Sequence, residues 1–165
     1  MINSRERLKF YILYLFPIVL WVGIVLYLSN QSFQQQDIRP FISRYEDMLM
    51  RILPEISFTY GNSTVSTENP VGFVHYVFRK GAHILVYGIL GLLLVRAINK
   101  KWDSLAGSAI FSLSLIMNIA VIDEWNQSLN PNRTGSAHDV ILDLIGAVMC
   151  IGLYIILVLK NKAKK

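Results

Sequence analysis

Four stretches of this sequence, residues 10–28, 76–95, 105–122 and 140–159, are long and almost wholly apolar, and they limit the fold more than anything else in the chain. A helix rises about 1.5 Å per residue and a bilayer's hydrocarbon core is roughly 30 Å thick, so about 20 apolar residues suffice to cross it. Each stretch meets or nearly meets that length. Composition agrees: only 16% of the residues are charged and 53% are hydrophobic, where an ordinary soluble domain has roughly a quarter charged. The pattern predicts an all-α integral membrane protein, a single domain over residues 1–165. It consists of an antiparallel bundle of four transmembrane helices in a lipid bilayer.

Charge sets the expected orientation. Arg5, Arg7 and Lys9 precede the first stretch, Arg96, Lys100 and Lys101 join the second and third, and Lys160, Lys162, Lys164 and Lys165 follow the fourth. Basic residues are retained on the cytoplasmic side, so all three groups put both termini in the cytoplasm. The net charge of +5 is thereby accounted for, and with no basic stripe interleaved with aromatics it does not indicate nucleic acid. Trp102 and Trp125 fall at span ends, where indole rings favour the headgroup layer. The first apolar run exceeds a signal-peptide core, and Ser29-Asn30-Gln31-Ser32-Phe33 offers no small-x-small cleavage site, so it reads as an uncleaved span. Cys150 is the one cysteine, which excludes an intrachain disulfide.

The segment of about residues 30–75 is then external. Ile38, Phe41, Ile42, Tyr45, Leu49 and Ile52 recur at helical spacing, with Arg39, Ser43, Arg44, Asp47 and Arg51 largely opposite them. That stripe predicts an extracytoplasmic amphipathic helix between the first and second spans. Pro54 ends it, Tyr60-Gly61-Asn62-Ser63 reads as a turn, and Asn69-Pro70 starts a helix continuous with the second span.

Counting residues from the basic anchors assigns a depth to each polar side chain. Lys80 and His83 lie roughly 6 to 10 Å inside the outer boundary, one turn apart and on the face of Tyr87. Asp123, Glu124 and Gln127 reach the outer surface at the end of the third span, with Asp123 and Gln127 on one face. Asp139 falls at the boundary of the fourth span and Asp143 one turn below it, sharing a face with Gly146. An isolated charge in hydrocarbon costs about 2.5 to 3.5 kcal/mol even on lenient scales, so such groups pair inside a bundle. Lys80 and Asp143 lie at similar depth with opposite sign, which makes a pairing between them the expectation. Lys80, His83, Asp123, Glu124, Arg133, Asp139 and Asp143 are expected to surround an outward-facing polar pocket.

These residues also carry a resemblance. Ser29-Asn30-Gln31-Ser32, then Lys80-Gly81-Ala82-His83 with Tyr87, Gly88 and Gly91, then Asp123-Glu124 with Gln127, Arg133 and Asp139, and finally Gly146, resemble in order and spacing the VanZ-like family of small bacterial membrane proteins. Asp143 departs from it, standing where the family pattern has Asn, and His138 has no counterpart. The resemblance implies a multi-pass protein of the bacterial cell membrane, associated with antibiotic resistance in the form of lowered susceptibility to teicoplanin, a lipoglycopeptide that acts outside the membrane.

Three functions fit these residues. In the first, the pocket binds or handles an amphiphilic cell-envelope ligand, a lipoglycopeptide or a lipid-linked glycan precursor, with Lys80 and Arg133 meeting phosphate or carboxylate and Tyr87, Gln127 and the acids completing the site. In the second, the chain is a hydrolase or transferase for a lipid-linked substrate, with His83 as acid or base and Asp123 or Glu124 as its partner. No Gly-x-Ser-x-Gly elbow or reactive cysteine supplies a nucleophile. His83, Glu124, His138 and Asp139 are scattered donors that would admit a metal-dependent version, but they lack His-Glu-x-x-His spacing, so neither metal nor cofactor is assigned. In the third, the charged cluster is structural and the chain is a scaffold or regulator docking unspecified protein partners through Gly88, Gly91 and Gly146. Asn-x-Ser/Thr triplets at Asn62, Asn126 and Asn132 are read as coincidental.

Overall fold

The computed structural model describes residues 4–61, 63–129 and 136–164. Four helices are long and apolar enough to cross a membrane: Ser4–Asn30, Pro70–Trp102, Leu105–Ser128 and Ala137–Lys162. Each outruns the stretch expected from hydropathy, because helical hydrogen bonding continues where the side chains turn polar. Asn69 caps the second span by accepting from the Gly72 N–H (2.8 Å), and Pro70 occupies its first turn, where a missing N–H costs nothing. That span therefore begins where Asn69-Pro70 predicts. In the first span, Tyr11–Leu15 forms a π-helical turn just before Pro17. The wider turn relieves the clash and lost hydrogen bond that proline imposes inside a helix.

The second, third and fourth spans form the core. Tyr87, Leu90, Leu94, Val95, Ile116, Ala120, Ala147 and Ile151 are buried together, with Val25 of the first span against them. The second and fourth spans touch almost backbone to backbone: a Cβ added at Gly146 would collide with the Ile84 carbonyl, and one added at Gly88 would lie 2.9 Å from the Cys150 sulfur. Gly88, Gly91 and Gly146 thus use their small size within the chain. The Trp21 indole N–H donates to the Val86 carbonyl oxygen (2.9 Å) and ties the first span to the second. Large side chains such as Leu85, Ile110, Ile122, Met149 and Leu153 are exposed, as a bundle in lipid requires. The exposed Trp102 and Trp125 rings lie near opposite ends of the third span. Between the second and third spans Asp103 sits at φ 49° and Ser104 caps the next helix by accepting from the Gly107 N–H (3.3 Å).

The segment joining the first two spans differs from the single amphipathic helix its stripe suggests. It consists of short helical pieces, Phe33–Gln36, Arg39–Ile42, Ser43–Tyr45 and Glu46–Ile52, followed by strands β1 (Ser57–Tyr60) and β2 (Ser63–Ser66). Of the stripe, Ile42 is buried and Phe41, Tyr45 and Ile52 are exposed. The α-helix begins only at Arg39, with Pro40 in its first turn, and the 3₁₀ turn at Ser43–Tyr45 interrupts the period, so one apolar face is not continuous. The strands pair antiparallel, Ser57 with Ser66 and Tyr60 with Ser63, around a turn in which Gly61 takes φ 58°, a conformation open to glycine at little cost.

Candidate functional site

The hairpin is a structural part of the site. Tyr60, at the end of β1, donates its hydroxyl proton to Asp139 Oδ1 (2.9 Å), and burial, reinforced by that carboxylate, pushes its phenol well above the ordinary range. It therefore stays protonated and remains a donor. Lys80 of the second span forms an ion pair with the same oxygen, and its ammonium lies 4.6 Å from the Tyr60 ring centroid and 5.5 Å from that of Tyr76. A cation held between a carboxylate and two ring faces is well compensated for leaving water. One turn further along, His83 Nδ1 lies 3.0 Å from Asp143 Oδ1.

The expected pairing of Lys80 with Asp143 is thus corrected. Depth counting gives height in the bilayer but not which neighbour a side chain meets at that height. Close contact at Gly146 sets the register of the second and fourth spans, and the long lysine reaches Asp139 while the shorter imidazole reaches Asp143. Asp143 is fully buried and Asp139 is 2% exposed, so both carboxyl groups rest on these partners.

The third span brings the other acids. Tyr87 donates its hydroxyl proton to Asp123 Oδ2 (3.0 Å), and the Gln127 amide donates to the same oxygen (3.1 Å), as the shared face of Asp123 and Gln127 predicts. Glu124 Oε2 accepts from the Ser136 N–H (2.7 Å). Asp123 Oδ1, Glu124 Oε1 and Asp143 Oδ2 are buried without a hydrogen-bond partner among the described residues. Single ligand atoms of His83, Glu124 and Asp139 lie within 4.8 Å of one another. His138 is exposed, beside the Tyr60 ring (5.4 Å between centroids) and Ser136. Arg133, Asn62 and Asn132 lie outside the described residues, while the Asn126 amide faces Ser29 Oγ and Asn30 Oδ1 at 3.4 Å each.

A cleft of about 270 Å³ opens beside this cluster, lined from the first span by Val25, Leu28 and Ser29 and from the second by His75, Phe78, Arg79, His83, Val86 and Tyr87. Gln31, Gln35, Gln36 and Ile38 roof it, and Asp123 and Gln127 close its inner side. The Ser-Asn-Gln-Ser sequence builds that roof. Ser32 and Gln35 cap each other reciprocally (2.8 and 3.4 Å), and the Gln36 amide donates to the Leu28 carbonyl (2.8 Å). Such an arrangement satisfies carbonyls otherwise left open at a helix end.

Tyr60, Ser136 and Arg79 are site residues that the sequence reading passes over. Ser136, three residues before Asp139, has capping-box spacing and was detectable. Tyr60 is 79 residues from Asp139 and carried no signal. No curated protein and no solved structure matches the chain. The family model described as VanZ/LLP1 matches residues 13–158, and the chain belongs to that family of membrane proteins.

Proposed function

We propose that this is a bacterial cell-envelope protein with both termini in the cytoplasm, its spans alternating in direction, that binds an amphiphilic envelope molecule in an outward-facing cleft. A lipoglycopeptide or a lipid-linked glycan precursor has the required chemistry. The observation that carries the reading is the two-sided lining: Val25, Leu28, Phe78 and Val86 are apolar, while Arg79, His83, Asp123 and Gln127 can meet a polar head. Ligand pockets typically run from about 300 to 1,000 Å³, so this cleft accommodates a head group or part of a chain, with the remainder in lipid or water. Arg79 offers the planar donor fork that suits phosphate or carboxylate. Lys80 is committed to Asp139.

The test uses the purified protein in nanodiscs with two probes, teicoplanin and a glycopeptide core lacking the acyl chain. Saturable binding of the acylated compound alone is expected, weakened about tenfold or more, about 1.4 kcal/mol, by Arg79→Ala or by Val86→Trp, which fills the cleft. Cells producing either variant should lose teicoplanin protection at unchanged protein level. Equal binding of both probes, or none, contradicts the proposal. An enzymatic reading is favoured by one observation, His83 oriented by Asp143 with Glu124 close by, the arrangement of a positioned acid–base group. Turnover of a lipid-linked glycan by wild type, lost in His83→Ala, would establish it.

A further inference from the structure

Among the described residues, the ligand atoms around His83 that no described neighbour holds form a pattern, each side chain being bonded through one atom and leaving another. His83 has Nδ1 held by Asp143, which leaves Nε2. Glu124 has Oε2 held by the Ser136 N–H, leaving Oε1 buried and unpartnered among the described residues in a side chain only 5% exposed. Asp139 receives both Tyr60 and Lys80 on Oδ1, leaving Oδ2. Each of the three side chains is thus fixed through one atom by a neighbour on another element, and one ligand atom from each lies within 4.8 Å of those of the other two. Holding the outer atom of each ligand so that the inner one points correctly is how metal-binding side chains are supported.

Charge points the same way. Asp123, Glu124, Asp139 and Asp143 are all buried, and Glu124 interacts electrostatically with Asp139, Asp123 and His83. Lys80 is the lysine paired within this cluster. Among the described residues, four buried carboxylates, one lysine and one imidazole leave a surplus of acid, and a buried charge needs a partner.

We propose that His83, Glu124 and Asp139 together bind one divalent transition-metal ion, zinc or manganese. Imidazole favours zinc and related ions, whereas magnesium and calcium take oxygen ligands. Bonds of about 2.1 Å require ligand atoms no more than about 4.2 Å apart, which rotation of the carboxylates supplies. Three protein ligands leave coordination positions open to water or an oxyanion. The site shares His83 with the cleft but is read by metal titration and not by amphiphile binding, so the failure of one proposal is distinguishable from that of the other.

Protein purified in detergent through a tag that binds no metal, then stripped with a chelator, is titrated calorimetrically with Zn²⁺ and with Mn²⁺. One ion per chain is expected, with affinity reduced by more than about 100-fold, at least the loss seen on removing a supporting residue, in Glu124→Gln and His83→Ala. Binding is unchanged in His138→Ala, whose ring lies outside the cluster. Failure of folded wild type to bind either ion overturns the proposal, as does undiminished binding in both Glu124→Gln and His83→Ala. Should those variants not fold, Mn²⁺-loaded wild type decides: spin-echo coupling to an imidazole nitrogen supports the site, and its absence refutes it.

Discussion

Asp143 is the residue whose chemistry departs furthest from its surroundings: a carboxyl group with no exposure, one oxygen 3.0 Å from His83 Nδ1 and the other without a partner among the described residues. Its geometric task, accepting a hydrogen bond that orients the imidazole, needs an oxygen and not a charge. Asn at this position would keep that oxygen and replace the unpartnered one with an amide nitrogen. Asp143→Asn should therefore stay within about 1 kcal/mol of wild type in thermal unfolding of the detergent-solubilised protein, whereas Asp143→Ala, which leaves the His83 nitrogen unsatisfied, should cost about 1–3 kcal/mol. Equal losses in the two variants would mean that the charge itself stabilises the fold. The same residue shows how far sequence reasoning reaches. Its depth and face were legible from the helical repeat, and its partner was not, because Lys80 and His83 lie one turn apart and both come within range of Asp139 and Asp143.

Among the elements, the contact between the second and fourth spans sets the register of the site. The backbones meet where Gly146 faces the Ile84 carbonyl, one turn beyond Asp143 and one residue beyond His83. Without a hydrophobic force to join helices in lipid, such close approach is a main source of their association. Gly146→Ala places a methyl group against that carbonyl and should destabilise the protein by about 1–3 kcal/mol, the usual cost of overpacking. Gly152 lies on the same helix with nothing within 4 Å of an added Cβ, and Gly152→Ala should be neutral or mildly stabilising. Thermal unfolding of the pair checks both, and equal effects would show that packing at Gly146 is not limiting. The four spans were legible because twenty apolar residues have few other fates. The hairpin was not: β1 and β2 have four residues each, too short for alternation to stand out, and the stripe from Ile38 to Ile52 carried an α-helical period through the 3₁₀ turn at Ser43–Tyr45, where the backbone does not follow it.

At the scale of the molecule the two ends have different chemistry. One gathers Tyr60, Lys80, His83, Asp123, Glu124, Asp139 and Asp143, each held by a hydrogen bond or ion pair to a neighbour. At the other, Asn99 donates to the Tyr154 hydroxyl (3.1 Å), and Arg96 and Lys100 stand near Asp103. The basic residues concentrate at this second end and at the two termini, so under the proposed topology the positive-inside tendency puts this end in the cytoplasm and the acidic cluster outside. The proposed orientation decides which molecules the cleft can meet, since a lipoglycopeptide acts outside the membrane. Cysteine labelling tests it directly. With Cys150 replaced by Ala, exposed positions Glu55 and Lys162 are changed singly to Cys, and intact cells are treated with a membrane-impermeant maleimide. Glu55→Cys should react at once, and Lys162→Cys only after permeabilisation. The opposite pattern would turn the acidic cluster to the cytoplasm, where the ligand would have to be a cytoplasmic intermediate, and would remove the lipoglycopeptide from consideration while leaving the metal site intact.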